Sequence, residues 1–149
     1  MEVTSLSKRL RDVDRVAGWV WEQWRDGSGL PLEQIRAQLL GEPGCPATLL
    51  ALEAGKAVGA LGFLRFDHPR LGTRLLFINS LYVVPAARRR GIAGGLLAHA
   101  LVHATASDDA LYVYTGIPAW YEARGFTVVE RAAASPNAVL YRALAPASG

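Results

Sequence analysis

The stretch of this chain that leaves its fold the least freedom is residues 73–106. A β-rich run over 73–84 is ended by Pro85, and three arginines follow: Arg88, Arg89 and Arg90. Gly91 then opens a segment, residues 91–106, in which Ala93, Leu96, Leu97, Ala100, Leu101 and Ala104 recur on one helical face. A strand that passes through a basic, glycine-rich corner into an amphipathic helix must lay that helix back on a sheet. The corner is also an anion site. Amides of a first helical turn have no partner inside the helix and sit at the positive end of its dipole. Small residues such as Gly91, Ala93 and Gly94 let a bulky anion approach them, and the arginines add fixed charge suited to several phosphates. Two common phosphate loops do not fit. No Lys-Ser or Lys-Thr follows the glycines, and Gly91-Ile92-Ala93 lacks the third glycine and the acidic strand end of a dinucleotide fold.

The rest of the chain supplies the sheet and its cover. After a short strand at residues 3–6, Val13, Val16, Ala17, Val20, Trp21 and Trp24 recur at helical spacing, with Trp19 off that stripe, up to Asp26-Gly27-Ser28-Gly29. Pro31 begins a second helix through Leu32, Ile35, Leu39 and Leu40, stopped by Gly41. The period then changes to that of strands at 47–53 and 56–66, joined at Ala54-Gly55, with a loop over 67–72. Beyond the long helix come a strand at 111–115, a short helix at 118–124 stopped by Gly125, and strands at 126–131 and 138–144. This alternation predicts an α/β or α+β class around a mainly antiparallel sheet.

Composition excludes several function classes. With 149 residues, 51% of them hydrophobic and 19% charged, the chain suits one soluble domain, residues 1–149. No apolar stretch reaches the roughly 18 residues of a membrane span. The opening fifteen residues meet charge where a secretory signal would be apolar, so a cytoplasmic protein is expected. Cys45, the single cysteine, reads as a turn residue. His99 and His103 stand four apart without a third ligand, so no metal is expected. The net charge of +3 comes from fourteen Arg and two Lys spread along the chain. A nucleic-acid partner would rest on that charge alone and is not expected.

Two motifs together resemble the GNAT superfamily of acetyl-CoA-dependent N-acetyltransferases. The first is Val83-Val84-Pro85 followed by Arg88-x-x-Gly91-x-Ala93 at a helix start, with Ala where a second glycine is commoner. The second is Trp120-Tyr121-Glu122-Ala123-Arg124-Gly125-Phe126, after the strand at 111–115. The resemblance implies a sheet splayed between its fourth and fifth strands, flanked by helices, with the pantetheine arm of acetyl-CoA in the gap. It implies pairing of that arm with the strand end Leu81-Tyr82-Val83. It also implies diphosphate contacts with the amides of Arg89, Arg90, Gly91, Ile92, Ala93 and Gly94, supported by the Arg88 and Arg90 side chains.

Acetylation of an amine sets further requirements. A primary amine with a pKa of about 10 must lose a proton before it attacks the thioester, the developing oxyanion needs a donor, and the departing thiolate needs a proton. By the resemblance the oxyanion donor is a backbone N–H near Val83, and Tyr121 is the general acid. Relatives often carry a carboxylate in the middle of the long strand. Here Asn79-Ser80 stands in its place, so Asn79 is read as holding a water or the substrate. Glu22, Glu53, Asp67 and His68 are the other candidates for the base, and Trp19 is a candidate for an acceptor pocket or a homodimer contact. The expected activity is acetyl transfer from acetyl-CoA to a primary amine of a small molecule or peptide. The alternative is a degenerate acyl-CoA-binding module.

Overall fold

Alternation along the second and third strands decides how the layers stack. In the computed structural model, which describes residues 1–24, 31–41, 44–104 and 108–144, strand β2 (Leu49–Glu53) is buried on both faces. Leu49 and Ala51 point into one apolar cluster and Leu50 and Leu52 into another. A strand with no polar side needs a helical layer on each face. Helices α1 (Val13–Trp24) and α2 (Leu32–Leu39) cover one face through Val16, Ala17, Val20 and Ile35, which meet Leu50, Leu52, Ala57 and Ala60. Helix α3 (Ile92–Ala104) and the short α4 (Pro118–Glu122) cover the other, where Leu96, Leu97 and Ala100 meet Leu61, Phe63, Leu76 and Leu111.

The sheet contains β1 (Glu2–Ser5), β2, β3 (Lys56–His68), β4 (Gly72–Val83), β5 (Ala110–Thr115), β6 (Thr127–Arg131) and β7 (Ala138–Ala143). Their spatial order is β1-β2-β3-β4-β5-β7-β6, antiparallel throughout except for the parallel β4–β5 pair. The turn at Ala54-Gly55 has φ of 51° and 78°, two left-handed residues in succession, as a tight hairpin requires. Gly59 on β3 is there for close approach: a Cβ would lie 3.3 Å from Ile92 and Leu96 and 3.0 Å from the Tyr82 carbonyl. Its absence lets the start of α3 settle on the sheet.

Three expectations need correction. The loop expected over 67–72 is confined to a turn over 69–71, because β3 runs to His68 and β4 begins at Gly72 with the two paired. The turn between them is held by His68 Nδ1, which accepts the amides of Arg70 at 3.1 Å and Leu71 at 3.2 Å. The helix expected over 118–124 ends at Glu122, and Gly125 leaves it at φ 91°. The tryptophan assignment on α1 is reversed: Trp21 is 41% exposed, whereas Trp19 packs partly buried on Tyr82. At 100° per residue both lie roughly 90–110° from the centre of the buried stripe, on opposite sides. Which side is covered depends on the neighbour, and Tyr82 stands beside Trp19. The turn expected at Asp26-Gly27-Ser28-Gly29, the side chain of Trp24 and the helix end at 105–106 lie outside the described residues.

Candidate active site

The site begins where β4 and β5 part. They pair only at Phe77↔Tyr112 and Ile78↔Val113. At the same level the β3–β4 register shifts, with Gly62 opposite Ser80 and Phe63 opposite Ile78, so that Asn79 is an extra residue on β4. An extra residue on one strand of a pair increases local twist and turns the strand aside. The strands therefore diverge beyond Ile78 and leave a gap of about 480 Å³ lined by Asn79, Leu81, Tyr114, Ile117 and Tyr121. The edge of β4 that faces β5 is unpaired from Asn79 to Val83.

The gap adjoins a cleft of about 710 Å³ at the mouth of α3; Leu81 and Ile117 line both spaces. A 3-10 turn, Pro85–Ala87, leads into it, and Arg89 and Gly91 are both left-handed, at φ 66° and 80°. The Gly91 carbonyl accepts the amide of Gly95 at 3.0 Å, so the helix starts there with the first-turn amides facing outward. Leu81, Tyr82, Val83, Arg88, Arg89, Gly91, Ile92, Ala93 and Gly94 all line the cleft. Arg88 donates from Nε to the Val83 carbonyl at 2.8 Å and lies over the Tyr82 ring at 5.4 Å. Tyr82 in turn stacks on Trp19 at 5.3 Å, with Arg15 5.8 Å from the indole. Arg90 does not line the cleft; its guanidinium donates to Glu53 at 2.7 Å.

The reading of the sequence overlooked Arg124. It lines the cleft, lies 3.7 Å over the Trp120 ring, donates to the Trp120 carbonyl at 2.9 Å, and comes within 3.8 Å of where a Cβ on Gly94 would be. Its signal was its place in the second motif, one residue before Gly125. Glu22 of α1 also lines this cleft, which puts it at the mouth of α3 and away from Asn79.

Tyr121 on α4 is 4% exposed and is held edge-on between Trp120 at 4.8 Å and Phe126 at 5.3 Å. Burial pushes its phenol up to about 12, with Arg124 pulling weakly the other way. Tyr121 is therefore a neutral hydrogen-bond donor across the neutral range.

A second cavity, of about 550 Å³, opens on the far side of Asn79 and shares Ile78, Asn79 and Tyr114 with the gap. Its walls include Val20, Ile35, Phe66 and Phe77, and its lip carries Asp67, His68 and Glu130. Asp67 Oδ1 accepts the Arg74 amide at 2.7 Å, and Glu130 is paired with Arg70 and lies 3.6 Å from His68 Nε2. Two backbone amides, those of Arg70 and Leu71, donate to His68 Nδ1, so that nitrogen is engaged in the turn. Glu53 lines neither cavity. Of the candidate proton acceptors only Asn79, through a water, stands where the two spaces meet. No group of three metal-ligating side chains occurs among the described residues.

The sequence model described as the Acetyltransferase (GNAT) family matches residues 13–126. No curated protein sequence matches the chain. Among solved structures, a ribosomal-protein-alanine N-acetyltransferase from Brucella melitensis is similar, with a TM-score of 0.76 at 18% identity, over 97% of this chain and 100% of that one. An aminoglycoside 6'-N-acetyltransferase complexed with coenzyme A aligns with a TM-score of 0.75 at 13% identity, over 100% of both chains. A GNAT family N-acetyltransferase from Escherichia coli in complex with CoA has a TM-score of 0.61 at 22% identity, over 76% of this chain and 67% of that one.

Proposed function

Because this chain belongs to the GNAT acetyltransferase family, we propose that it transfers the acetyl group of acetyl-CoA to a primary amine by direct attack within a ternary complex. One observation carries this reading: the cleft at the mouth of α3, the gap between β4 and β5 and the cavity beyond Asn79 adjoin one another through shared residues. Phosphates have a place at one end, an amine at the other, and the unpaired edge of β4 runs between them. Two of the similar structures were solved with coenzyme A, which supports the same cosubstrate here.

The chain's own groups divide the work. First-turn amides at Gly91 to Gly94 hold the diphosphate, with Arg88, Arg89 and Arg124 around it. The edge of β4 at Leu81, Tyr82 and Val83 pairs with the amides of the pantetheine arm, and a backbone N–H near Val83 donates to the oxyanion, a kind of contact whose loss costs other acyl-transfer enzymes about 3 kcal/mol. The amine nitrogen bonds to the thioester carbon, the carbon–sulfur bond breaks, and the amine's proton leaves through water held by Asn79. Tyr121 donates a hydrogen bond to the departing sulfur. With a phenol near 12 and a thiol near 8.5, a completed proton transfer from Tyr121 alone is uphill by about 5 kcal/mol. Tyr121 therefore stabilises the thiolate by its hydrogen bond; the nitrogen of the bound ammonium loses two protons on the way to a neutral amide, one released to solvent through the water at Asn79 and one ending on the thiolate.

Release of free thiol from acetyl-CoA across a panel of primary amines tests the proposal. The second reading, an acyl-CoA-binding module, is favoured by Asn79 and Ser80, which bring no group titrating near neutrality to the middle of β4. Tight coenzyme binding with no turnover on any acceptor would select it.

A further inference from the structure

The cavity beyond Asn79 has a composition that narrows the acceptor. Phe66 is 45% exposed and Tyr114 55% exposed, yet both line this one space, together with the more deeply buried Phe77, Val20 and Ile35. Exposed aromatics that converge on a cavity mark a surface that an apolar body covers. Phe66 is set edge-on to Phe77 at 5.5 Å, and Phe77 is stacked on Tyr112 at 5.4 Å, so the wall is a braced aromatic surface. The charged groups at the lip, Asp67 and Glu130, are acidic, and neither Lys nor Arg is among the described residues that line the cavity. Glu130 is paired with Arg70, which reduces the charge of the lip, but an incoming ammonium still meets the carboxylate oxygens of Asp67 and Glu130, whereas a carboxylate finds no cation lining the cavity. Gln38 and Asn79 are polar groups that a ligand could meet inside, but a polyhydroxylated amine would still have to desolvate most of its hydroxyls against Val20, Ile35, Phe66, Phe77, Ile78 and Val139.

We infer that the acceptor is a primary amine on an apolar body, arylalkyl or alkyl, without a carboxylate and without a sugar's hydroxyls, and that Phe66 sets this preference. The inference rests on the proposed acetyl transfer for its choice of amine. The amine nitrogen lies at Asn79, where the cavity meets the gap, and the apolar body lies against Phe66 and Phe77. Cavities of this size, about 550 Å³, fall within the range that ordinarily encloses a small organic ligand.

The test compares phenethylamine, hexylamine, 6-aminohexanoate and glucosamine as acceptors, in the full chain and in Phe66→Ser and Phe66→Leu, with the coenzyme A Kd as the control for folding. The two apolar amines should exceed the amino acid and the amino sugar at least tenfold in kcat/KM. Phe66→Ser should raise the KM for phenethylamine roughly tenfold with little change in kcat, and Phe66→Leu should recover most of that loss. A preference for 6-aminohexanoate or glucosamine, or an unchanged KM in Phe66→Ser, overturns the inference while acetyl transfer stands. Where no amine is turned over, equilibrium binding of phenethylamine to the coenzyme-loaded protein decides. Binding that Phe66→Ser weakens about tenfold upholds the apolar-amine site and removes the catalytic reading, and absence of binding overturns the inference.

Discussion

Tyr121 meets a structural demand and, in the proposed reaction, a chemical one. Its ring packs between Trp120 and Phe126 in the core, and the residue lines the gap between β4 and β5. Tyr121→Phe keeps the ring and removes the donor, so turnover should fall at least tenfold while the acetyl-CoA Kd stays within about twofold; steady-state kinetics beside calorimetric titration checks this. The raised phenol also has a signature in stability. Its folded value, about 12, lies above the unfolded value near 10, so the stabilisation is complete below pH 10 and is lost as pH rises towards 12. Over that window the native chain should lose about 2–3 kcal/mol more than Tyr121→Phe, as read by denaturant unfolding at each pH. At this scale the sequence pointed through its motif to Tyr121, which lines the gap, and was misleading for the tryptophans of α1. Helical period alone places Trp19 and Trp21 on opposite flanks of one stripe, and only the ring of Tyr82 separates them.

At the scale of the element, the corner between β4 and α3 distributes its arginines. With Arg89 and Gly91 both left-handed, successive side chains leave the chain in different directions: Arg88 to the Val83 carbonyl, Arg89 to the cleft and Arg90 to Glu53. A run of three like residues suggests one function, but the backbone gives them three settings, and Arg124 from α4 joins them at the cleft. Two glycine substitutions separate conformation from ligand contact. Gly91→Ala meets no atom within 4 Å but must hold φ at 80°, so it should cost about 1–2 kcal/mol, a drop of roughly 2–8 °C in Tm by thermal denaturation. Gly94→Ala lies in the first turn of α3 with only Arg124 in ordinary contact, so it should preserve or slightly raise Tm. Its methyl group would stand in the cleft, and the coenzyme A Kd should weaken severalfold in the same titration.

Across the whole molecule, divergence at one end of β4 and β5 depends on closure at the other. Arg65 on β3 donates to the carbonyls of Gly44 and Arg74 and, through both terminal nitrogens, to Asp108, just before β5. Both partners are 15% exposed, so the pair is well shielded, and it fastens the start of β5 to the start of β4 while the far ends separate. Arg65→Met removes the paired guanidinium from Asp108 and one donor from each of the Gly44 and Arg74 carbonyls. It should lower stability by about 2 kcal/mol, roughly 4–8 °C in Tm. The coenzyme A Kd should change less than threefold, because the cleft lies at the open end.

The identity and order of the helices and strands, the buried stripes of α1 and α3, and the anion-binding corner were determined by local physics: the period of the apolar residues, the preferences of Pro and Gly, and unpaired amides at a helix start. The extra residue at Asn79, the pairing of Arg90 with Glu53, the arrival of Arg124 at the cleft and the placing of Asp67, His68 and Glu130 around an aromatic wall were decided only by tertiary structure. Each depends on residues far apart in the chain, and no periodicity or propensity within a single segment encodes which of them meet. The sequence thus specified the corner proposed to hold a phosphorylated coenzyme, and the packing of β3, β4, β5 and β6 around one cavity shaped the space proposed for the acceptor.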